Sequence, residues 1–439
     1  MLNKIHTLLS DPEVNFTALY RISQALFGLA LILTLPFFLN ETEQGLYFTF
    51  LSIIAAQVFF ELGLNQVIIQ NVSSYLGKVG INNSKETSLY ANKILLLHSK
   101  LIKIYFILAI LFALSISLIG NYIFMASEPA IRAIWFFPWN SLVLLTAFNL
   151  FLSPFLCFHE GLGRVKEVYK LRLIQTVIGS FASIILIILG FKLYALIALP
   201  LTSAIFSTFW LLQNYNIVLA FQKLIQNNPI SSFSWFNEIF SLQWRVSLSW
   251  VSGYFIFQFL QPVIFVVYGA QVAGQFGISY NILRVASNLS ISWISPKLPK
   301  LSMLYSSGQK DLMSQHFRKY SIYTIFITLV LLFSINLGHL LLQFISPDLY
   351  SRFLDQYSFF ILSLICLIDV LVFCLAIYTR AHKEEPFFVI SIFSAISTLI
   401  LASMANLISF IDFLIIRFLI NMLIILPWSY LIYRKYKFN

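Results

Sequence analysis

The stretch "QVFFELGLNQVII", Gln57–Ile69, places one carboxylate in a segment that is otherwise apolar enough to be a membrane helix. Gln57 and Asn65 stand four residues before and after Glu61, so on a continuous helix the three polar side chains share one face. A charged group at bilayer depth costs at least about 2.5 kcal/mol, so Glu61 needs a partner, water or a function. The stretch therefore predicts a membrane helix with one face turned towards protein or an aqueous cavity.

The composition of the whole chain is typical of a membrane protein. Of its 439 residues, 59% are hydrophobic and only 10% are charged, and the mean hydropathy is +0.85. A water-soluble fold cannot hide this much apolar surface, so a bilayer must solvate it. The three cysteines have no paired spacing, and there is no His/Cys cluster or phosphate-binding glycine loop. The sequence therefore predicts no metal, no cofactor and no enzyme.

Apolar runs of about twenty residues predict twelve membrane spans. They cover residues 17–38, 45–70, 101–123, 134–158, 171–190, 192–214, 243–268, 271–295, 319–345, 354–379, 387–409 and 411–433. With both termini cytoplasmic, the inside loops and adjoining span ends hold 22 of the 28 basic residues. Cytoplasmic loops are enriched in Lys and Arg, so this distribution supports the count and the orientation. The net charge of +11 follows from topology and contact with anionic membrane lipids, and it does not indicate nucleic acid.

The two halves of the chain resemble each other. The segment His98–Gly120 aligns without gaps on His316–Gly338. An internal repeat of this kind is typical of transporters in which two bundles rock around a central cavity. The sequence thus predicts an all-α polytopic membrane protein with two six-helix bundles, residues 1–214 and 243–439, joined by a cytoplasmic linker, 215–242.

Polar side chains recur at helical intervals in corresponding spans of both halves. They are Arg21 and Gln24 in span 1, Gln57, Glu61 and Asn65 in span 2, Trp250, Tyr254, Gln258 and Gln261 in span 7, and Asn281, Arg284 and Asn288 in span 8. This pattern predicts that these faces line an aqueous cavity. The alternative is that they form hydrogen bonds between helices.

The charged residues within spans are candidates for function. Arg284 is central in its polar stripe, and a guanidinium binds phosphate oxygens in a forked, permanently charged geometry. The alternative is that it pairs with an acid of a neighbouring helix. Asp369 is the deepest acid and, with Glu61, a candidate for proton or cation coupling; each could instead pair structurally, Glu61 with Arg21. Arg417 lies near the predicted outer face, where anchoring at the interface is expected.

Three short motifs carry a resemblance to a known family. "LNETEQGLY" (Leu39–Tyr47), the "ELGLNQVII" that follows in span 2, and "YGAQVAGQFGISYNI" from Tyr268 resemble polysaccharide flippases. These are the Wzx-type transporters of O-antigen and capsule repeat units in the multidrug/oligosaccharidyl-lipid/polysaccharide (MOP) superfamily, which have a MATE-like fold. The matching residues are Glu43, Gly45, Tyr47, Glu61, Gly63, Leu64, Ala273, Gly274 and Phe276. Gln261-Pro262 stands where the family commonly has an acidic-basic pair.

The resemblance implies a flippase that moves an undecaprenyl-pyrophosphate-linked oligosaccharide across the bacterial inner membrane. It also implies a polysaccharide polymerase and a chain-length regulator as partners. In this interpretation Arg21 and Arg284 hold the pyrophosphate, and Trp250, Tyr254 and Tyr280 stack on sugar rings. Two alternatives remain: a drug or cation antiporter of the same superfamily, and a polysaccharide polymerase or lipid-linked glycosyltransferase. The predicted outside loops are all short, which disfavours the last class.

Overall fold

The fold is entirely helical in the part of the chain that the structure, a computed structural model, describes: residues 12–78, 84–216, 241–382 and 386–438. The helices of the first half are α1 (Pro12–Phe38), α2 (Glu41–Ile54), α3 (Val58–Glu61), α4 (Leu64–Lys78), α5 (Ser84–Ser127), α6 (Arg132–Gly161), α7 (Val165–Ile188) and α8 (Ala195–Gln213). Those of the second half are α9 (Ser241–Phe257), α10 (Leu260–Ile291), α11 (Leu298–Ser306), α12 (Lys310–Ile345), α13 (Pro347–Tyr350), α14 (Gln356–Arg380), α15 (Phe388–Ser403), α16 (Phe410–Ile420) and α17 (Leu426–Phe438). A π-helical turn, Asn421–Ile425, connects the last two.

The predicted all-α membrane architecture is confirmed. Among the described residues, ten helical stretches are long and apolar enough to cross a membrane. One of them, Trp250–Tyr305, contains most of predicted span 7 and all of span 8, whose helices meet at a bend at Gly269 with a φ of 89°. The helix α15 corresponds to span 11 but has only 16 residues. Each predicted span therefore falls on helical segments, but ten stretches of the described chain, and not twelve, have the length and hydropathy of a membrane span. The cytoplasmic location of the termini stays a prediction.

The chain divides into two compact units and passes between them three times: after Phe38, inside span 2 after Ser52, and inside span 7 after Val251. The first unit contains the chain up to Phe38 and Ile53–Val251, and the second contains Leu39–Ser52 and the chain from Ser252. The first part of α2 thus packs with the helices of the second unit. The predicted linker, 215–242, lies outside the described residues except at its ends.

The first unit is built from closely packed helix pairs, some parallel and some antiparallel. Helix α1 packs along α7 and α7 packs along α8, while α5 and α4 both pack against α6. Edge-to-face contact of Phe27 and Phe181, with ring centroids 5.0 Å apart, joins α1 to α7. Little of α1 is buried, and its outward side chains, Leu26 among them, are apolar. Such a surface is suited to lipid tails.

The continuous helix predicted across span 2 is broken directly after Glu61. Leu62 and Gly63 both have left-handed backbone angles, with φ of 47° and 70°. Glycine adopts this conformation without strain, whereas leucine does not, so the break is held by the surrounding structure. The hydroxyl of Ser247 lies 3.1 Å from the carbonyl oxygen of Leu62 and 2.7 Å from that of Gln243, so its one proton is shared between the carbonyl that the break exposes and a carbonyl of its own helix.

The second unit is organised around α14, which contacts α10, α12, α16 and α17. The first part of α2 crosses α10 at very short range. A Cβ at Gly274 would lie 2.8 Å from the carbonyl oxygen of Glu41, and a Cβ at Gly45 would collide with the carbonyl of Ala270. The side-chain amide of Gln44 locks this crossing by donating to the carbonyl of Gly274, at 2.8 Å. Only glycine fits at such a contact.

Candidate functional site

Glu61 is the centre of a hydrogen-bond network in the first unit. The side-chain amide of Gln57 donates to one carboxylate oxygen, and that of Asn65 donates to the other at 3.1 Å. The hydroxyl of Tyr105, on α5, donates to the side-chain oxygen of Asn65 at 3.1 Å. The side-chain amides of Gln57 and Asn65 therefore remain in contact with Glu61 despite the helix break.

A polar cavity of about 270 Å³ lies beside this network within the first unit. The predicted residues Gln24, Gln57 and Asn65 line it. Its other polar side chains were not among the candidates from the sequence: Tyr20, Asn149, Ser153, Arg172, Gln175, Thr176, Ser203 and Ser207. Gln175 donates to the hydroxyl of Ser207 at 2.8 Å, so part of this lining connects α7 to α8.

The ion pair of Arg172 and Glu160 borders the same cavity. A guanidinium nitrogen and a carboxylate oxygen are 2.5 Å apart, and the side chain of Glu160 is only 7% exposed. The guanidinium also lies over the ring of Tyr169, 5.1 Å from its centroid. Arg172 is one of the 22 basic residues counted from the sequence in the predicted inside loops and adjoining span ends. The available signal was Glu160, an acid at the end of α6 that lies close to α7 when two adjacent helices fold antiparallel.

Arg21 does not pair with Glu61. Both residues are described, and no ion pair or hydrogen bond joins them. Arg21 is exposed, while the nearby Gln24 donates to the hydroxyl of Tyr20 at 2.8 Å. The carboxylate of Glu61 is thus satisfied by neutral amides and not by a cation.

Arg284 has no ion-pair partner among the residues that the structure describes. It is partly exposed, and its guanidinium lies over the ring of Phe257, 5.0 Å from the centroid. A cation over an aromatic face is attracted by the ring but keeps its charge and its hydrogen-bond donors. Arg284 makes no direct ion pair with an acid among the described residues, but it is close enough to Asp369 of the neighbouring α14 for the two charges to attract each other.

Arg417 has a different environment from Arg284 in the same unit. It is 8% exposed and donates to the hydroxyl of Thr398 and to the carbonyl of Ile256, both at 2.9 Å. An arginine held in this way links α16 to α15 and α9. Its buried position differs from the interface anchoring expected from the sequence.

Asp369 is partly buried on α14, close to Arg417. The amide of Asn421, in the π-helical turn, lies 3.4 Å from its carboxylate. Asp369, Tyr280 and Arg417 line a narrow cleft of about 10 Å³, a volume that suits one water molecule. Tyr280 stacks on Phe276 with ring centroids 5.4 Å apart.

The remaining candidate residues of spans 7 and 8 differ in their contacts and in their exposure. Gln261 donates to the carbonyl of Ala273 at 2.8 Å and so connects the two sides of the bend at Gly269. The side-chain amide of Asn281 donates a hydrogen bond to the carbonyl of Gly277 in its own helix. Asn288 is exposed. The backbone carbonyl of Gln258 accepts a hydrogen bond from Ser52. Trp250 is half exposed, and Tyr254 makes an edge-to-face contact with Phe255.

Comparison with known proteins supports one fold. No protein-family model and no curated protein sequence matches this chain. An inward-facing multidrug-resistance MATE family transporter of the MOP superfamily is similar in structure, with a TM-score of 0.60 at 14% identity, over 93% of this chain and 98% of that one. An outward-facing transporter of the same description has a TM-score of 0.52 at 15% identity, over 98% of both chains. A MOP superfamily transporter from Pyrococcus furiosus, described as having a binding pocket of reverse polarity, has a TM-score of 0.51 at 15% identity, again over 98% of both chains.

These similarities define the fold. The chain has a MATE-like fold. The three proteins compared are themselves described as transporters. At such low identity the likeness concerns the fold alone.

Proposed function

We propose that this protein is a flippase that moves an undecaprenyl-pyrophosphate-linked oligosaccharide repeat unit across the bacterial inner membrane by alternating access. The glycan enters O-antigen or capsule assembly. A polysaccharide polymerase and a chain-length regulator act with the flippase in that pathway.

The observation that supports this proposal most is the environment of the Arg284 side chain. It lies in a membrane-spanning helix, is partly exposed, and has no ion pair among the described residues. A permanently charged guanidinium in such a position is costly unless an anion uses it. Pyrophosphate is an anion that a guanidinium binds through two parallel hydrogen bonds.

The other candidate residues have supporting roles in the proposal. Arg21, exposed on α1, takes part in holding the pyrophosphate at the predicted cytoplasmic end. Trp250, Tyr254 and Tyr280 supply aromatic faces for sugar rings. Glu61 and Asp369 are the candidates for proton or cation coupling, since both are carboxylates within spans that make no ion pair in the described part of the chain.

The test is a deletion of the gene in its source organism, scored for lipid-linked repeat units. Loss of a flippase leaves single units in the cytoplasmic leaflet and removes surface polysaccharide. Restoration by the wild-type chain, but not by Arg284→Gln at equal protein level, supports the proposal. Gln271→Ala is the matched control, because Gln271 is an exposed polar residue of the same helix that is not among the candidate site residues.

The same experiment separates the alternatives. The fold is equally compatible with a drug or cation antiporter, whose loss would leave surface polysaccharide normal and raise sensitivity to exported drugs. Loss of a polymerase would instead leave single units exported and attached. Either result would overturn the proposal.

A further inference from the structure

A groove of about 670 Å³ runs between α12, α14 and α17 in the second unit, away from the residues considered above. Its floor is mostly apolar and includes Phe317, Leu371 and Leu426. Ile322 and Tyr430, on its rim, are each about half exposed. The groove is therefore open on the side of helices that face the bilayer.

Two cations lie at one end of this groove. Arg318 is near the beginning of α12 and Lys437 is near the end of α17, and both are exposed. None of the described residues that line the groove is acidic. By the distribution of basic residues along the sequence, this end faces the cytoplasm, where membranes carry anionic lipid.

A buried hydroxyl lies between the cations and the apolar floor. Ser321 lines the groove one turn after Arg318, is 8% exposed, and its oxygen has no hydrogen-bond partner among the described residues. An unpaired buried hydroxyl is unfavourable, so a polar group from a bound molecule would stabilise it.

We infer that the groove is a binding site for an anionic phospholipid of the cytoplasmic leaflet. Arg318 and Lys437 bind the phosphate, Ser321 donates to a glycerol or ester oxygen, and an acyl chain lies along Leu371 and Leu426. The distance along α12 from Arg318 to Ile325, about 10 Å at 1.5 Å per residue, matches the change from headgroup to hydrocarbon in one leaflet.

The inference is tested with the purified full-length protein after removal of native lipid. Binding of phosphatidylglycerol, of phosphatidylethanolamine and of undecaprenyl phosphate is measured by native mass spectrometry. The key variant is Arg318→Gln/Lys437→Gln, and the matched control is Lys319→Gln/Arg434→Gln, which removes the same charge from the same two helices outside the groove. Ser321→Ala tests the hydroxyl separately.

We expect saturable binding of one phosphatidylglycerol with preference over phosphatidylethanolamine. The groove variant should weaken it about tenfold or more, since each cation near a lipid surface contributes about 1 kcal/mol. Ser321→Ala should weaken it severalfold, and the control pair should have little effect. Equal loss in both charge pairs, absence of lipid preference, or stronger binding of undecaprenyl phosphate than of phosphatidylglycerol would overturn the inference. The outcome does not depend on what the protein transports.

Discussion

The charged side chains within the predicted spans make different contacts in the two units. In the first unit, Glu61 accepts hydrogen bonds from two amides and Arg172 pairs with Glu160. In the second unit, Arg417 is held by Thr398 and a backbone carbonyl. Arg284 lies over an aromatic ring and interacts with Asp369 at longer range, without a direct ion pair or hydrogen bond among the contacts described.

This difference distinguishes charges that stabilise the fold from a charge that is available to a ligand. A buried ionic group that is fully paired becomes destabilising when one partner is removed. A partly exposed group without a polar partner can be removed at little cost. Substitution should therefore destabilise the protein most at Arg172, less at Arg417, still less at Glu61 and least at Arg284. Substitution of Arg284 should instead reduce transport.

The largest loss of stability is expected from Arg172→Ala. It leaves the carboxylate of Glu160, only 7% exposed, without its cation, and removing one partner of such a pair costs about 3–5 kcal/mol. Thermal unfolding in detergent measures the effect. The double variant Arg172→Ala/Glu160→Ala should recover part of the loss; no recovery would show that the pair itself is not the cause.

A smaller loss is expected from Arg417→Met. The substitution keeps an unbranched apolar side chain but removes two hydrogen bonds from a charged donor, at a cost of about 2–4 kcal/mol. Arg417→Lys should retain part of the stability, since its ammonium can reach one acceptor. If Arg417→Met melts like the wild type, then Arg417 is not a structural link.

Two substitutions of Glu61 should destabilise the protein to different extents. Glu61→Ala leaves the amides of Gln57 and Asn65 without an acceptor and should cost about 1–2 kcal/mol. Glu61→Gln keeps an acceptor and should cost less than about 1 kcal/mol. If Glu61→Gln nevertheless abolishes transport at normal stability, the charge itself is used, as coupling to a proton or cation requires.

The sequence predicted the helical fold because apolar length and loop charge are local properties. Both glycines of the α2–α10 crossing, Gly45 and Gly274, belong to the motifs that resemble a family, but the crossing itself was not predicted from the sequence. The spacing of Gln57, Glu61 and Asn65 predicted that their side chains share one face. They are in contact in the structure although the helix breaks at Leu62.

Other features could not be predicted because they depend on tertiary contacts. A left-handed Leu62 contradicts the preference of the residue and is held by its surroundings. The Arg172–Glu160 pair requires the exact approach of two helices, which spacing does not specify. The burial of Arg417 follows from its contacts with α15 and α9, although its position near a span end suggested the interface.

The most direct test of the central claim is Arg284→Gln, assayed for both stability and transport. We expect the melting temperature to change little, corresponding to less than about 0.5 kcal/mol, because no ion pair is lost. We expect translocation of the lipid-linked oligosaccharide to fall at least about tenfold, because a charge-assisted phosphate contact is removed, with Arg284→Lys intermediate. Full transport by Arg284→Gln, or a large loss of stability that accounts for lost transport, would contradict the account.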